Sequence, residues 1–165
     1  MIPASQPEDP SNELIEFGGP IDRTTATLRI AGDDLDPSAI TELLGFPPTL
    51  ARRKGDSWQG ARTNRKYTAS TGQWNLESPE GTGDINSHLS WILETINSEK
   101  SVWIFLQQHF QIDIFCGLFL EADNRTADIS ANLLKEIGQR GIDLAFDIYS
   151  RSTDQNTEQG AAANP

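Results

Sequence analysis

The feature that most constrains the fold is a repeated change of apolar period between residues 24 and 149. In TTATLRI, residues 24–30, Ala26, Leu28 and Ile30 alternate with Thr25, Thr27 and Arg29, as in a strand with one buried face. A short helix follows: Asp36 caps it, Pro37 suits its first turn, Ile40, Leu43 and Leu44 form its apolar side, and Gly45 ends it in the left-handed conformation. Pro47 and Pro48 prevent its continuation. KYTAS and QWNLES read as two short strands of a hairpin turning at Thr71 and Gly72. Asp84 caps the clearest helix, where Ile85, Leu89, Ile92, Leu93 and Ile96 share one face. VWIFLQQ and IDIFCGLFLEA carry apolar groups on both faces, as interior strands do, and are expected to pair antiparallel. A third helix, from about 128 to 140, is expected to bury Ile129, Leu133, Leu134 and Ile137 and to stop at Gly141, and LAFDIY supplies the last strand. The order β-α-(β-β)-α-β-β-α-β predicts a single α+β domain with helices packed on one face of a mostly antiparallel sheet.

Two stretches echo each other. TLRIAGDDLDPSAITELLG and GLFLEADNRTADISANLLKEIG share an apolar strand, an acidic turn and a capped helix with paired leucines. The likeness records either a duplicated strand-helix unit or the common physics of leaving a strand and starting a helix.

With 165 residues, 36% of them hydrophobic, the chain has enough apolar material for one core. Residues 1–20 and 151–165 are rich in Pro, Ser, Asn, Gln, Gly and acidic groups and are read as disordered tails around a domain of residues 21–150. The opening residues lack the basic start and apolar run of a secretory signal. VWIFL and IDIFCGLFL are far shorter than the ~20 residues that cross a bilayer. Cys116 is the only cysteine, which excludes an internal disulfide and a cysteine zinc cluster and fits a reducing cytosol. A net charge of -11 opposes general binding to nucleic acid or anionic lipid.

AGDDLDPSAITELLGFPPT, then RRKGD, then the Trp of TGQWNLES, a leucine-rich helix and LLKEIGQRGIDLAFDIY occur in this order. Together they resemble the bacterial family called domain of unknown function 4279, over about residues 24–150. The resemblance implies a fold and brings no catalytic residues, because that family is uncharacterised. In size and charge the chain is also similar to small immunity proteins that neutralise a toxin, an analogy only.

Individual constellations mostly have structural explanations. Asp33, Asp34 and Asp36 lack the spacing and distal Glu of a calcium loop and suit a turn and helix cap. His88 and His109 stand outside any ligand motif and are expected to be structural or exposed, and Cys116 lies in an apolar strand without an activating base. Neither GxxxxGK[ST] nor GxGxxG occurs. EGTGD, residues 80–84, is a flexible helix entry in which Asp84 would repel an anion. No catalytic, metal or cofactor site is therefore assigned.

Surface groups carry the functional signal. Trp91 lies about 240° round its helix from Ile85, away from the apolar stripe, and is either covered by a neighbouring loop or anchors a partner. Trp103, Phe105, Phe115, Phe119 and Tyr149 are expected to share the helix-free sheet face with Asp113, Asp147, Thr25, Thr27 and Arg29. That many rings need a cover: residues 46–78, a second copy in a homodimer, or a protein partner, with the internal segment preferred. Finally, residues 50–67 hold Arg52, Arg53, Lys54, Arg62, Arg65 and Lys66 against Asp56, almost half of the 13 Lys and Arg. The segment is expected to pair with the acidic sheet face, or else to stay open as a basic recognition loop in which Trp58 and Tyr67 stack on bases of single-stranded nucleic acid. Three readings follow: a cytoplasmic, non-enzymatic module that contacts an unknown protein partner; an anion or nucleic-acid binder acting through residues 52–66; and an enzyme using Asp113 or Asp147 as a base in an aromatic cleft.

Overall fold

A computed structural model describes residues 18–150 apart from 82, 97, 98 and 123. Residues 1–17 and 151–165, most of the two expected tails, lie outside the described residues.

The elements run β1 (Arg23–Gly32), α1 (Pro37–Leu44), β2 (Leu50–Arg52), β3 (Ser57–Gln59), β4 (Lys66–Thr68), β5 (Gly72–Glu77), α2 (Ile85–Thr95), α3 (Lys100–His109), β6 (Gln111–Leu120), α4 (Ala131–Gln139) and β7 (Asp143–Ser150). A five-stranded sheet takes the order β2-β5-β1-β6-β7, and β3 and β4 form a separate two-stranded arm. Every pair is antiparallel except β6–β7, which run parallel with α4 as their crossover. The α+β class, the single domain and the one-faced arrangement of helices are as the sequence predicts.

The alternation in β1 and β6 places Ala26, Leu28, Ile30, Ile112, Ile114, Cys116 and Leu118 on one face, joined there by Trp74 and Leu76 of β5. Against them pack Ile40 and Leu44 of α1, Leu89 and Ile92 of α2, Trp103 and Leu106 of α3, and Leu133 and Ile137 of α4, in one continuous core. Helix starts follow the expected caps: Asp36 accepts from the Ser38 amide, and Asp84 from the Ser87 amide and hydroxyl at 2.9 and 2.8 Å. Gly45 closes α1 at φ 71°, and Gly141 ends the α4 turn at φ 59°. Trp74 Nε1 donates to Thr41 Oγ1 at 3.0 Å, which ties α1 to β5 through the core.

Three expectations are corrected. VWIFLQQ lies in helix α3, so it forms no pair with β6. A short run that is apolar throughout fits a buried strand and a helix equally, and here the burial is helical: Trp103 and Leu106, three apart, face inward while Ile104 and Phe105 are exposed. KYTAS and QWNLES do not pair with each other, because β4 pairs with β3 and β5 inserts between β1 and β2. The Ala69 amide donates to Asp56 and the Gly55 amide to Ala69, extending the arm's ladder before the chain crosses to the sheet. Leu134 is exposed on α4, one residue off the buried Leu133–Ile137 stripe.

Candidate functional site

Antiparallel and parallel partners place their side chains on the same side of a sheet, so the register defines rows across the helix-free face. One row is Asn75, Arg29, Asp113 and Asp143, and the next is Arg52, Gln73, Ala31 and Gln111. The Arg29 guanidinium grips Asp113 through Nε at 2.7 Å and Nη2 at 2.6 Å. It also lies 4.3 Å from the centre of the Phe115 ring. The Asp113 carboxylate raises the Arg29 pKa. The side chains of these rows other than Arg52, with Gln107, Phe110, Ile112 and the backbone at Gly141, line a groove of about 760 Å³. The Gln73, Asn75 and Gln111 amides and the Asp143 carboxylate have no side-chain hydrogen bond or ion pair among the described residues.

At the other end of the same face Arg23 sits 3.4 Å over Phe119, and Phe119 stacks on Tyr149 at 4.7 Å and 6°. The Tyr149 hydroxyl donates to Asp147, which pushes the phenol pKa up. Two of the rings, Phe115 and Phe119, are thus covered by the protein's own arginines, a cover not expected from the sequence, while Tyr149 stays exposed. Residues 46–78 do not supply it: they build β2, the β3–β4 arm and β5 on one flank of the sheet. Phe115 and Tyr149 occupy the helix-free face as expected, whereas Trp103 and Phe105 do not, since both belong to α3. Trp103 is buried in the core and Phe105 lies against His109 with 4.3 Å between centroids and the rings tilted by 31°.

Trp58 and Tyr67 are cross-strand partners in the arm and stack at 5.6 Å, and the Arg52 guanidinium lies 3.5 Å over Trp58. Because Arg52 shares a row with Gln73, this stack marks the β2 border of the open face. The basic segment's pairing differs from expectation: Arg53 binds Asp36 at 2.7 Å and Lys54 binds Asp33, both in the turn after β1 rather than on the sheet face. The geometry follows from strand order, since Gly72 at the start of β5 lies opposite Gly32 at the end of β1 and brings the adjoining loops together. Hydrogen bonds from Lys54 and Thr71 hold the Asp33 carboxyl below its ordinary range, and those from Arg53 and the Ser38 amide do the same for Asp36. Arg62, Arg65 and Lys66 are exposed and make no ion pair among the described residues.

Trp91 is half-buried, with Phe46 meeting it edge-on at 6.1 Å, so a neighbouring loop covers it. His88 is buried, and its Nδ1 lies 2.6 Å from Ser78 Oγ. Ser78 Oγ also lies 2.9 Å from the Ala26 carbonyl, so one hydroxyl links the histidine to β1. Burial lowers the His88 pKa, partly offset by the Gly83 carbonyl and Asp84. Cys116 is fully buried on the helix side, where desolvation pushes its thiol up to about 12. His109 is exposed at the end of α3 with Nδ1 2.7 Å from the Phe105 carbonyl. Among the described residues no cluster of three or more His, Cys, Asp or Glu is placed to hold a metal, and no helix is long and apolar enough to cross a membrane.

Sequence reasoning missed Arg23, Gln73, Asn75, Gln111 and Asp143. The first three alternate with buried neighbours, which is a readable signal for facing outward. Their convergence depends on register. A family model described as Domain of unknown function (DUF4279) matches residues 22–151. No curated protein and no solved structure matches the chain.

Proposed function

The chain belongs to that family, and from its open sheet face we propose that it is a non-enzymatic interaction module that recognises a protein partner in the cytoplasm, in the manner of an immunity protein. The observation that supports this is the face itself: Arg-capped aromatic rings at both ends and, between them, a groove of about 760 Å³ with unpartnered amides. Arginine and large rings are the residue types that dominate protein-protein hot spots, and free amides match a peptide backbone donor for acceptor. The reading requires no cofactor. Chemistry is poorly served here, because both Asp113 oxygens are occupied by Arg29, Asp147 accepts from Tyr149, and the cysteine and the buried histidine lie on the helix side.

A second reading, an anion or single-stranded nucleic-acid binder, has in its favour Arg62, Arg65 and Lys66, exposed and without an ion pair among the described residues. Against it, the Trp58 ring is already engaged by the protein's own groups, stacked with Tyr67 and lying 3.5 Å from the Arg52 guanidinium. A photo-crosslinking phenylalanine at Phe115 or Tyr149, compared with one at Phe105, tests the proposal in cells. One discrete adduct with a protein other than a second copy of this chain is expected from the two sheet positions alone. Equal adducts from all three positions, RNA adducts dependent on Arg62, Arg65 and Lys66, or turnover of a small molecule by the purified protein would each displace it.

A further inference from the structure

The β7 border of the sheet has no neighbouring strand among the described residues, although β7 is eight residues long. Its apolar side chains are also unusually open: Phe146 and Ile148 lie opposite Cys116 and Leu118, on the helix side, yet are 46% and 62% exposed. A free edge carrying such residues is a template for another strand, and proteins normally blunt it with charge, proline or a bulge. In β7 the acidic residues Asp143 and Asp147 both point to the other face, so they leave the apolar row unguarded. The opposite border offers no equivalent, since β2 has only three residues. Residues 151–165, which continue from β7, contain no large apolar side chain that would cover the row.

We infer that the occupant of this edge is a second copy of the chain, added antiparallel, β7 to β7, about a twofold axis at Phe146. Charge selects the register. Centred on Phe146, the pairing sets Asp143 opposite Tyr149, Asp147 opposite Ala145, and Leu144 opposite Ile148, with Phe146 meeting its own copy. Moving the axis to Ala145 would set Asp143 against Asp147, and moving it to Asp147 would set that carboxylate against itself, both unfavourable. Only the Phe146 register of these three keeps carboxylates apart while joining Leu144, Phe146 and Ile148 of both copies into one row. The axis stands normal to the sheet, so the five strands of each copy become one continuous sheet with both open faces on the same side. This pairing does not rest on the function proposed above, because it uses the edge and the helix side of β7 rather than the groove.

Sedimentation velocity on the full chain tests it, with a species of twice the 18.2 kDa chain mass expected. Each copy carries a net charge of -11, so association driven by apolar burial strengthens as salt rises from about 0.05 M to about 0.5 M, the reverse of a charge-paired interface. Ile148→Lys, at an exposed position that leaves the monomer fold intact by circular dichroism, weakens the dimer by at least about tenfold. Phe146→Cys is joined to its own copy by a short bismaleimide, while Phe105→Cys on α3 is not, and the native Cys116 is too buried to react. A monomer at every concentration up to about 100 µM, a dimer indifferent to Ile148→Lys, or equal joining at both cysteine positions overturns the pairing.

Discussion

Arg29 and Asp113, 84 residues apart, meet across the adjacent strands β1 and β6 with both carboxylate oxygens engaged. Their side chains are 39% and 28% exposed, so water screens the pair and its value falls between that of a surface and a buried bridge. Arg29→Met is expected to cost about 1 kcal/mol in urea unfolding, and a double-mutant cycle with Asp113→Asn to return a coupling of about 0.5–1.5 kcal/mol. A coupling near zero would mean that the Phe115 contact, rather than the carboxylate, holds the guanidinium in place.

Trp103 and Phe105 stand two residues apart on α3 with opposite fates: Trp103 is 1% exposed and Phe105 43%. Trp103→Ala is expected to destabilise the protein by about 3–5 kcal/mol, and Phe105→Ala by under about 1 kcal/mol. Chemical denaturation of the two variants side by side checks the helical reading of this segment, since a strand would bury neither or both. The run VWIFL could not reveal this by itself, because five consecutive apolar residues have no period to read. The capped segments were legible for the opposite reason. Asp36 with Gly45, and Asp84 ahead of Ile85 and Leu89, announce where backbone amides need partners, and the structure uses them as written. The site was legible residue by residue and illegible as a set. Alternation puts Phe115 on the helix-free face, but that Arg29 covers it, or that Trp58 meets both Tyr67 and Arg52, depends on which strands become neighbours.

His88 links stability to pH. Its folded pKa lies below the ordinary 6.5, so the unfolded chain takes up the proton first as acid is added. The neutral, Ser78-bonded form thus contributes its full stability above 6.5 and loses it as pH falls through the folded value. Thermal unfolding temperatures are expected to decline as pH drops from 6.5, before the carboxylates held low by their partners, Asp22, Asp33, Asp36 and Asp84, begin to protonate. His88→Asn keeps a polar amide near Ser78, lowers stability by about 1–3 kcal/mol and flattens that first decline. A slope unchanged in the variant would assign it to other groups.

Gly72 is buried where β5 begins, and a methyl group there would stand 2.7 Å from the Gly32 carbonyl oxygen and 2.8 Å from Leu35 Cβ. The obstacle is backbone on the paired strand, which cannot step aside without breaking the β1–β5 register. Gly72→Ala is therefore expected to cost about 1–3 kcal/mol. Gly138→Ala on α4, where nothing lies within 4 Å, is expected to stabilise by about 0.5–1 kcal/mol, as glycine is a poor helix former. Melting curves of the two variants should move in opposite directions.

The centre of the sheet joins β1, near the start of the chain, to β6, which begins only at Gln111. On the ribosome, β1, α1 and β5 emerge long before the strand that shields the other side of β1 has been synthesised. The N-terminal half must wait with one edge of β1 unpaired, and the loop then closed is long, which favours slow folding for a chain of this size. Translation of β6 through Leu120 is thus the point at which β1 first has partners on both edges, and a nascent chain stalled earlier is a natural client for a chaperone.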